Sequence, residues 1–242
     1  YLAALLERKG EGLRDFRQGV LPFLLIMAVI GILIILQPDI GTLFAIVAIG
    51  LSMVFTAGFR LRHLSFIVVL GLGIFVILIS TARYRLARLF VYLHPELDPQ
   101  GIGYQINQAL LAVGTGGLWG LGFGRSRQKY QYLPEPAGDS IFAIMAEELG
   151  FVRILFLLLA FGLVIFRGYR VAERAPDIFG KLLAVGITTW IMVQAFVNMG
   201  SILAITPLTG IPLPFISYGG SSLAALLVAS GILLNISRYT ED

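Results

Sequence analysis

Five long apolar stretches of the chain, residues 20–36, 40–58, 64–82, 182–206 and 219–236, contain no charged side chain at all. A sixth, 140–166, is apolar except for Glu147, Glu148 and Arg153. Runs of about 20 apolar residues are long enough to cross the hydrocarbon layer of a membrane as helices. The runs are continuous rather than alternating, which selects helices over a closed barrel. Composition points the same way: 13% of residues are charged, against about 25% in a soluble domain. The expected fold class is all-α, a polytopic transmembrane helix bundle forming a single membrane domain over residues 1–242.

The distribution of Lys and Arg orients such a bundle. Arg8, Lys9, Arg14 and Arg17 precede the first run, and Arg60 and Arg62 follow the second. Arg167, Arg170, Arg174 and Lys181 lie between the fourth and fifth, and Arg238 closes the sixth. These segments alternate onto one side, the cytoplasm, with both ends inside. The net charge of +4 and pI of about 9.5 then reflect topology, and nucleic-acid binding is not inferred from them. There are no cysteines, so an outer loop must hold its shape without disulfides.

Residues 83–138 break the pattern. This long region falls on the outer side yet carries Arg83, Arg85, Arg88, Arg125, Arg127 and Lys129. Long loops cross regardless of charge, so these cations suggest a surface for an anionic partner, or contact with lipid headgroups. Within it, residues 106–113 are apolar but too few to span, and read as a short interfacial or re-entrant helix. Gly114, Gly116, Gly117, Gly120, Gly122 and Gly124 follow. They follow no strand and open no βαβ unit, so they are not a dinucleotide site.

Acids at a membrane boundary are costly and are functional candidates. Asp139 immediately precedes the fourth run, beside the cation-rich loop. It could cap the helix, and partial desolvation would raise its pKa as a general base requires. Glu147 and Glu148 lie deeper and are expected to be structural, paired with Arg153 or another span. Asp39, in a turn with Pro38 and Gly41, is expected to cap the second span. His63, His94 and the acids show no metal-ligand spacing. Residues 205–222 hold three prolines between two runs and read as a segment folded back into the bundle.

QPDIGT (37–42), DPQGIGYQ (98–105), GLGFGRSRQKYQYLPEP (120–136), DSIFAIMAEELGF (139–151) and TGIPLPFISYGGSSL (209–223) together resemble the SEDS family of shape, elongation, division and sporulation proteins. Their wording is nearer the division branch, FtsW, than the elongation branch, RodA. The resemblance implies ten spans, of which these are the last six, so that the first four lie outside this chain. It implies a peptidoglycan glycosyltransferase of the bacterial cytoplasmic membrane. Such an enzyme polymerises lipid II, a disaccharide-pentapeptide on undecaprenyl pyrophosphate, at the outer face. Implied partners are a class B penicillin-binding protein, other division proteins and membrane lipids.

The family's essential aspartate falls on Asp139. Expected substrate contacts are Arg83, Arg85, Arg88, Lys129, Gln108, Glu135, Ser217 and Ser221. A divalent cation, Mg or Mn, is an alternative means of neutralising the pyrophosphate, and no organic cofactor is expected. Two features depart from the pattern: Ala137-Gly138 replace the usual His-Thr, and Arg153 replaces a small residue. The competing readings are a transporter that flips the lipid precursor and a non-catalytic scaffold for the transpeptidase.

Overall fold

In the computed structural model, residues 1–37, 39–94, 98, 100–130 and 132–240 are described, apart from the side chains of Glu11 and Tyr84. Pro38 of the expected turn, and Pro99 and Gln131 of the quoted motifs, lie outside the described residues. All regular structure among the described residues is helical. The order is α1 (Leu2–Lys9), a 3-10 turn (Gly10–Arg14), a π turn (Phe16–Val20), α2 (Leu21–Leu36), α3 (Ile40–Thr56) and α4 (Leu61–Thr81). It continues with α5 (Arg83–Leu93), α6 (Ile102–Gly116), α7 (Ile141–Glu173), α8 (Ile178–Ile202) and α9 (Gly220–Ser237).

Among the described residues, five helices are long and apolar enough to cross a membrane: Phe16–Leu36, Leu61–Thr81, Ile141–Glu173, Ile178–Ile202 and Gly220–Ser237. The second expected span appears as α3, also apolar but 17 residues long. Large apolar side chains such as Val69, Leu72 and Val76 on α4 are exposed, which lipid tolerates and water does not. The chain is a multi-pass membrane protein.

The residues group into two compact units. The first comprises Tyr1–Val76, Val164–Val193 and Ala225–Asp242. Its core joins Leu6, Leu13, Val20, Phe23, Met53, Val54, Phe59, Ile67 and Leu182. Phe23 meets Phe59 edge-on, with ring centroids 6.3 Å apart. The amphipathic α1, read from sequence only as a polar basic lead-in, contributes Ala3 and Leu6 to this core.

Asp39 caps α3 as expected, with its Oδ1 accepting from the Thr42 N–H at 2.9 Å. Asp39→Ala is therefore expected to cost about 1 kcal/mol. The check is a lowered thermal transition in detergent at unchanged helix content.

The second unit comprises Ile77–Leu163 and Gln194–Ala224. Two helices stand where the sequence suggested one short one. α6 is longer than expected because Gly103, Ile106, Ala109, Ala112 and Gly116 recur on one buried face. α5 carries three arginines. Yet Leu86, Leu89, Phe90 and Leu93 follow helical spacing. Tyr92 ties α5 down by donating its hydroxyl to the Ile205 carbonyl at 2.7 Å.

α7 is interrupted. Gly150 takes φ 74 and ψ 173 inside it, so the expected continuous fourth span is two helical pieces. In an unbroken helix the N–H of Phe151 would bond the Glu147 carbonyl, and that of Val152 the Glu148 carbonyl. Here both bonds are open, and the glycine-rich segment is spliced between them. Leu121 N–H donates to Glu147 O and Gly122 N–H to Glu148 O, each at 3.0 Å. Phe151 N–H donates to Gly117 O at 2.9 Å and Val152 N–H to Leu118 O at 3.1 Å. These four backbone groups at the break thus find partners, the condition for irregular backbone at membrane depth.

Candidate active site

The splice brings the basic loop against α7, where Glu147 and Glu148 hold it. Glu148 accepts from Gly124 N–H at 2.9 Å, Ser126 N–H at 3.1 Å and the Lys129 ammonium at 2.8 Å. Glu147 accepts from the Ser126 hydroxyl, from Arg127 N–H at 3.1 Å and from Gln128 N–H at 3.3 Å. Two acids at the end of a helical piece face an unfavourable dipole, and these donors offset it. The expected partner, Arg153, is elsewhere: it donates to Trp119 O at 2.8 Å and Leu149 O at 3.2 Å.

This arrangement narrows the set of cations offered for a substrate. Lys129 is engaged by Glu148, and that hydrogen bond raises its pKa. Arg85 is only 8% exposed and donates to the Leu78 carbonyl at 2.9 Å. Arg83, Arg88, Arg125 and Arg127 are exposed.

Asp139 lies in a tight turn before α7. Glu135 begins that turn with φ 45, and its carbonyl accepts from Gly138 N–H at 3.0 Å and Ser140 N–H at 3.4 Å. The carbonyls of residues 137, 138 and 139 are each gripped by a different donor. Ala137 O accepts from Tyr218 N–H at 2.8 Å. Gly138 O accepts from the Ser217 hydroxyl at 2.8 Å. Asp139 O accepts from Asn198 Nδ2 at 2.7 Å. The proline-rich connector is thus folded back onto the turn, as expected. Gly210, with φ 71, passes so near that a Cβ there would sit 3.8 Å from Asp139 Oδ2.

The carboxylate itself is less constrained. It is half-buried, and Ser140 Oγ lies 3.4 Å from Oδ1. A hydroxyl has one hydrogen, which Ser140 shares between Asp139 Oδ1 and Pro134 O, the latter 2.9 Å away. Gln105 Nε2 donates to the same Oγ at 3.3 Å. Burial pushes the Asp139 pKa above the ordinary carboxylate value, and the Glu135 charge adds to this; Ser140 and nearby backbone N–H groups offset part of the rise.

Of the other residues proposed from sequence, Glu135 shares the turn of Asp139 and is exposed. Ser217 is spent within the protein, on Gly138 O and on Leu213 N–H at 2.7 Å. Gln108 is half-buried on α6, and Ser221 is exposed in the first turn of α9. Among the described residues no hydrogen bond joins Arg83, Arg88, Gln108 or Ser221 to the Asp139 turn. Sequence reasoning missed Asn198, Gln105 and Ser126. An asparagine within an uncharged span was the available sign for the first.

Among the described residues no three His, Asp or Glu side chains converge as a metal cage. Glu135 and Asp139 share one turn, and the Glu135 charge is felt at Asp139.

Comparison with known proteins places these features in context. The family model for the cell-cycle proteins FtsW, RodA and SpoVE matches residues 1–242. Stage V sporulation protein E of Bacillus subtilis is 48% identical over 241 residues, covering 100% of this chain and 66% of that protein. A probable peptidoglycan glycosyltransferase FtsW of Geobacter metallireducens is 41% identical over 237 residues, covering 98% and 63%. The chain thus spans about two thirds of the length of these relatives. Among solved structures, a chain of a peptidoglycan synthase complex that coordinates polymerization and crosslinking superposes with TM-score 0.75 at 29% identity, covering 100% of this chain and 68% of that one. The rod shape determining protein RodA of Thermus thermophilus gives 0.59 at 27%, covering 99% and 64%.

Proposed function

The chain belongs to the FtsW, RodA and SpoVE family of cell-cycle proteins, and from that premise we propose that the protein to which it belongs is a peptidoglycan glycosyltransferase polymerising lipid II. The observation that carries this reading is Asp139: a half-buried carboxylate with a raised pKa on a backbone fixed at three successive carbonyls. A general base needs a pKa nearer the working pH and a fixed position.

Asp139 takes the proton from the attacking sugar hydroxyl as that oxygen bonds to the anomeric carbon of a second lipid-linked sugar. The bond from that carbon to the pyrophosphate breaks, and undecaprenyl pyrophosphate leaves with the electron pair. A leaving group this good needs no protonating carboxylic acid, so one acid suffices where a glycosidase uses two. The exposed Arg83 and Arg88 supply charge for the pyrophosphate. The reaction belongs at the outer face of the cytoplasmic membrane, with both ends of this portion cytoplasmic. A class B penicillin-binding protein crosslinks the product. Division is the process assigned from the motif wording, with other division proteins as further partners.

A divalent cation is part of the proposal. Mg or Mn carried in with the substrate phosphates would neutralise the leaving pyrophosphate. EDTA is expected to suppress polymerisation by at least about tenfold, the scale of a lost charge-stabilising contact, with recovery on adding Mg or Mn. Undiminished synthesis in EDTA removes the ion from the scheme.

The function is tested by incubating the purified full-length protein, with its transpeptidase, with labelled lipid II. Glycan chains longer than the substrate are expected. If labelled lipid II crosses a proteoliposome bilayer but no chains form, the flipping reading replaces this one.

A further inference from the structure

Asn198, on α8, is 0% exposed and makes an unusual set of bonds. Its Nδ2 donates to Asp139 O at 2.7 Å and to Ile211 O at 2.8 Å. Both amide hydrogens are therefore spent on main-chain carbonyls of two separate segments. Those two acceptors also set the amide's orientation, because the flipped form would turn Oδ1 against both carbonyls. In the orientation that results, Oδ1 is buried with no partner among the described residues. An unsatisfied buried acceptor costs about 1–3 kcal/mol, which an apolar residue of similar size would avoid. What asparagine supplies in return is the cross-link.

The cross-link does not stand alone. Ser217 bonds Gly138 O and Leu213 N–H, and Tyr218 N–H bonds Ala137 O. Ile211, Leu213, Ser217 and Tyr218 all belong to the proline-rich connector. The grip is selective: the carbonyls of 137, 138 and 139 are all held from α8 and the connector, while among the described residues the Asp139 carboxylate is bonded only by its immediate neighbours. Backbone fixed and carboxylate available is the arrangement in which a proton acceptor keeps its place without having its lone pairs consumed.

We propose that Asn198, together with Ser217, is a positioning residue for Asp139, and that the 207–218 connector, bonded to Asn198 through Ile211 O, is the strut that carries the Ser217 contact. The proposal rests on the reading of Asp139 as the base. It reassigns Ser217 from substrate binding to positioning. It also explains why a connector rich in proline sits here, since proline's restricted φ makes a stiff strut.

The test is steady-state lipid II polymerisation by the full-length protein carrying Asn198→Ala, Ser217→Ala, Ser217→Thr or Asp139→Asn. A displacement of about 1 Å costs about a hundredfold in rate. Asn198→Ala is thus expected to lower kcat by about ten- to a hundredfold, with KM for lipid II changed by less than about twofold. Ser217→Ala is expected to lower kcat by about tenfold, and Ser217→Thr, which keeps the hydroxyl, to recover most of it. A raised KM at unchanged kcat would make these residues substrate contacts and overturn the proposal. So would wild-type kcat in both Asn198→Ala and Ser217→Ala. If Asn198→Ala does not fold, the Ser217→Ala and Ser217→Thr pair decides alone, since failure of threonine to restore kcat counts against positioning. Activity surviving in Asp139→Asn rejects the base itself. An inactive Asp139→Asn beside fully active Asn198→Ala and Ser217→Ala rejects only the positioning role.

Discussion

Asp139→Asn is expected to lower lipid II polymerisation by about 10²–10⁴-fold, the contribution of a positioned general base, without loss of folded protein. The asparagine keeps the size of the side chain and the main-chain carbonyl that Asn198 holds, so the turn survives. What goes is the ability to take a proton. Stability should move the other way. The folded state raises the Asp139 pKa through burial, so it binds that proton more tightly than the unfolded chain does. The resulting stabilisation is fully present below the unfolded pKa and is lost as pH rises through the folded one. At neutral pH the ionised carboxylate is thus a burden on the fold, and the neutral asparagine relieves it. A thermal transition equal to or above that of the parent, with activity gone, is the combined result sought.

The same shift has a signature in the active protein. A base works only when deprotonated, so polymerisation falls as pH drops through the folded pKa of Asp139. That acid limb is expected above the ordinary aspartate range. Glu135→Gln should move it down, because the Glu135 charge contributes to the rise. A limb at the ordinary aspartate value in the parent protein, or one that Glu135→Gln leaves in place, would mean that another group controls the rate.

Much of this is legible in the sequence. The spans followed from uncharged runs, because the membrane forces every backbone group to be paired within a helix and every lipid-facing side chain to be apolar. Asp39 as a cap followed from local chemistry alone. Asp139 stood out by position, though its significance depended on the family resemblance. The failures have a common physical form: they concern bonds between segments far apart in sequence. Glu147 and Glu148 were rightly expected to have partners, but Arg153, the nearby choice, was not one of them. Their partners lie in the loop at 124–129, brought there by a splice that no local pattern encodes. Lys129 looked like a free cation for the same reason. α5 is a different kind of miss. Its helical spacing is present in the residues, but three arginines in eleven residues mask the periodicity of its apolar positions.

The splice is also where a single methyl group should do most harm. Gly150→Ala is expected to destabilise the protein by ~3 kcal/mol or more, from backbone strain and a steric clash together. The conformation at φ 74, ψ 173 is one that glycine alone adopts readily, and an L side chain there is strained before any neighbour is counted. The neighbours make it worse. A Cβ on residue 150 would meet the backbone of Leu118, Trp119 and Gly120, which cannot retreat because the same segment is bonded to Glu147, Glu148, Phe151 and Val152. Gly120→Ala should behave alike, since its Cβ would strike the Glu148 carbonyl and Leu149. Gly162→Ala is the control on the same helix. Nothing lies within 4 Å of its Cβ, and alanine in a helix is worth about 0.5–1 kcal/mol over glycine. The measurement is the thermal transition of each variant in one detergent, with limited proteolysis of residues 117–129 alongside. If Gly150→Ala melts with Gly162→Ala and its loop is no more readily cut, then α7 is not broken in the way that fixes Glu147 and Glu148 on the basic loop. If it melts well below and the loop opens, the glycine is what lets one helix both cross the membrane and anchor the basic loop.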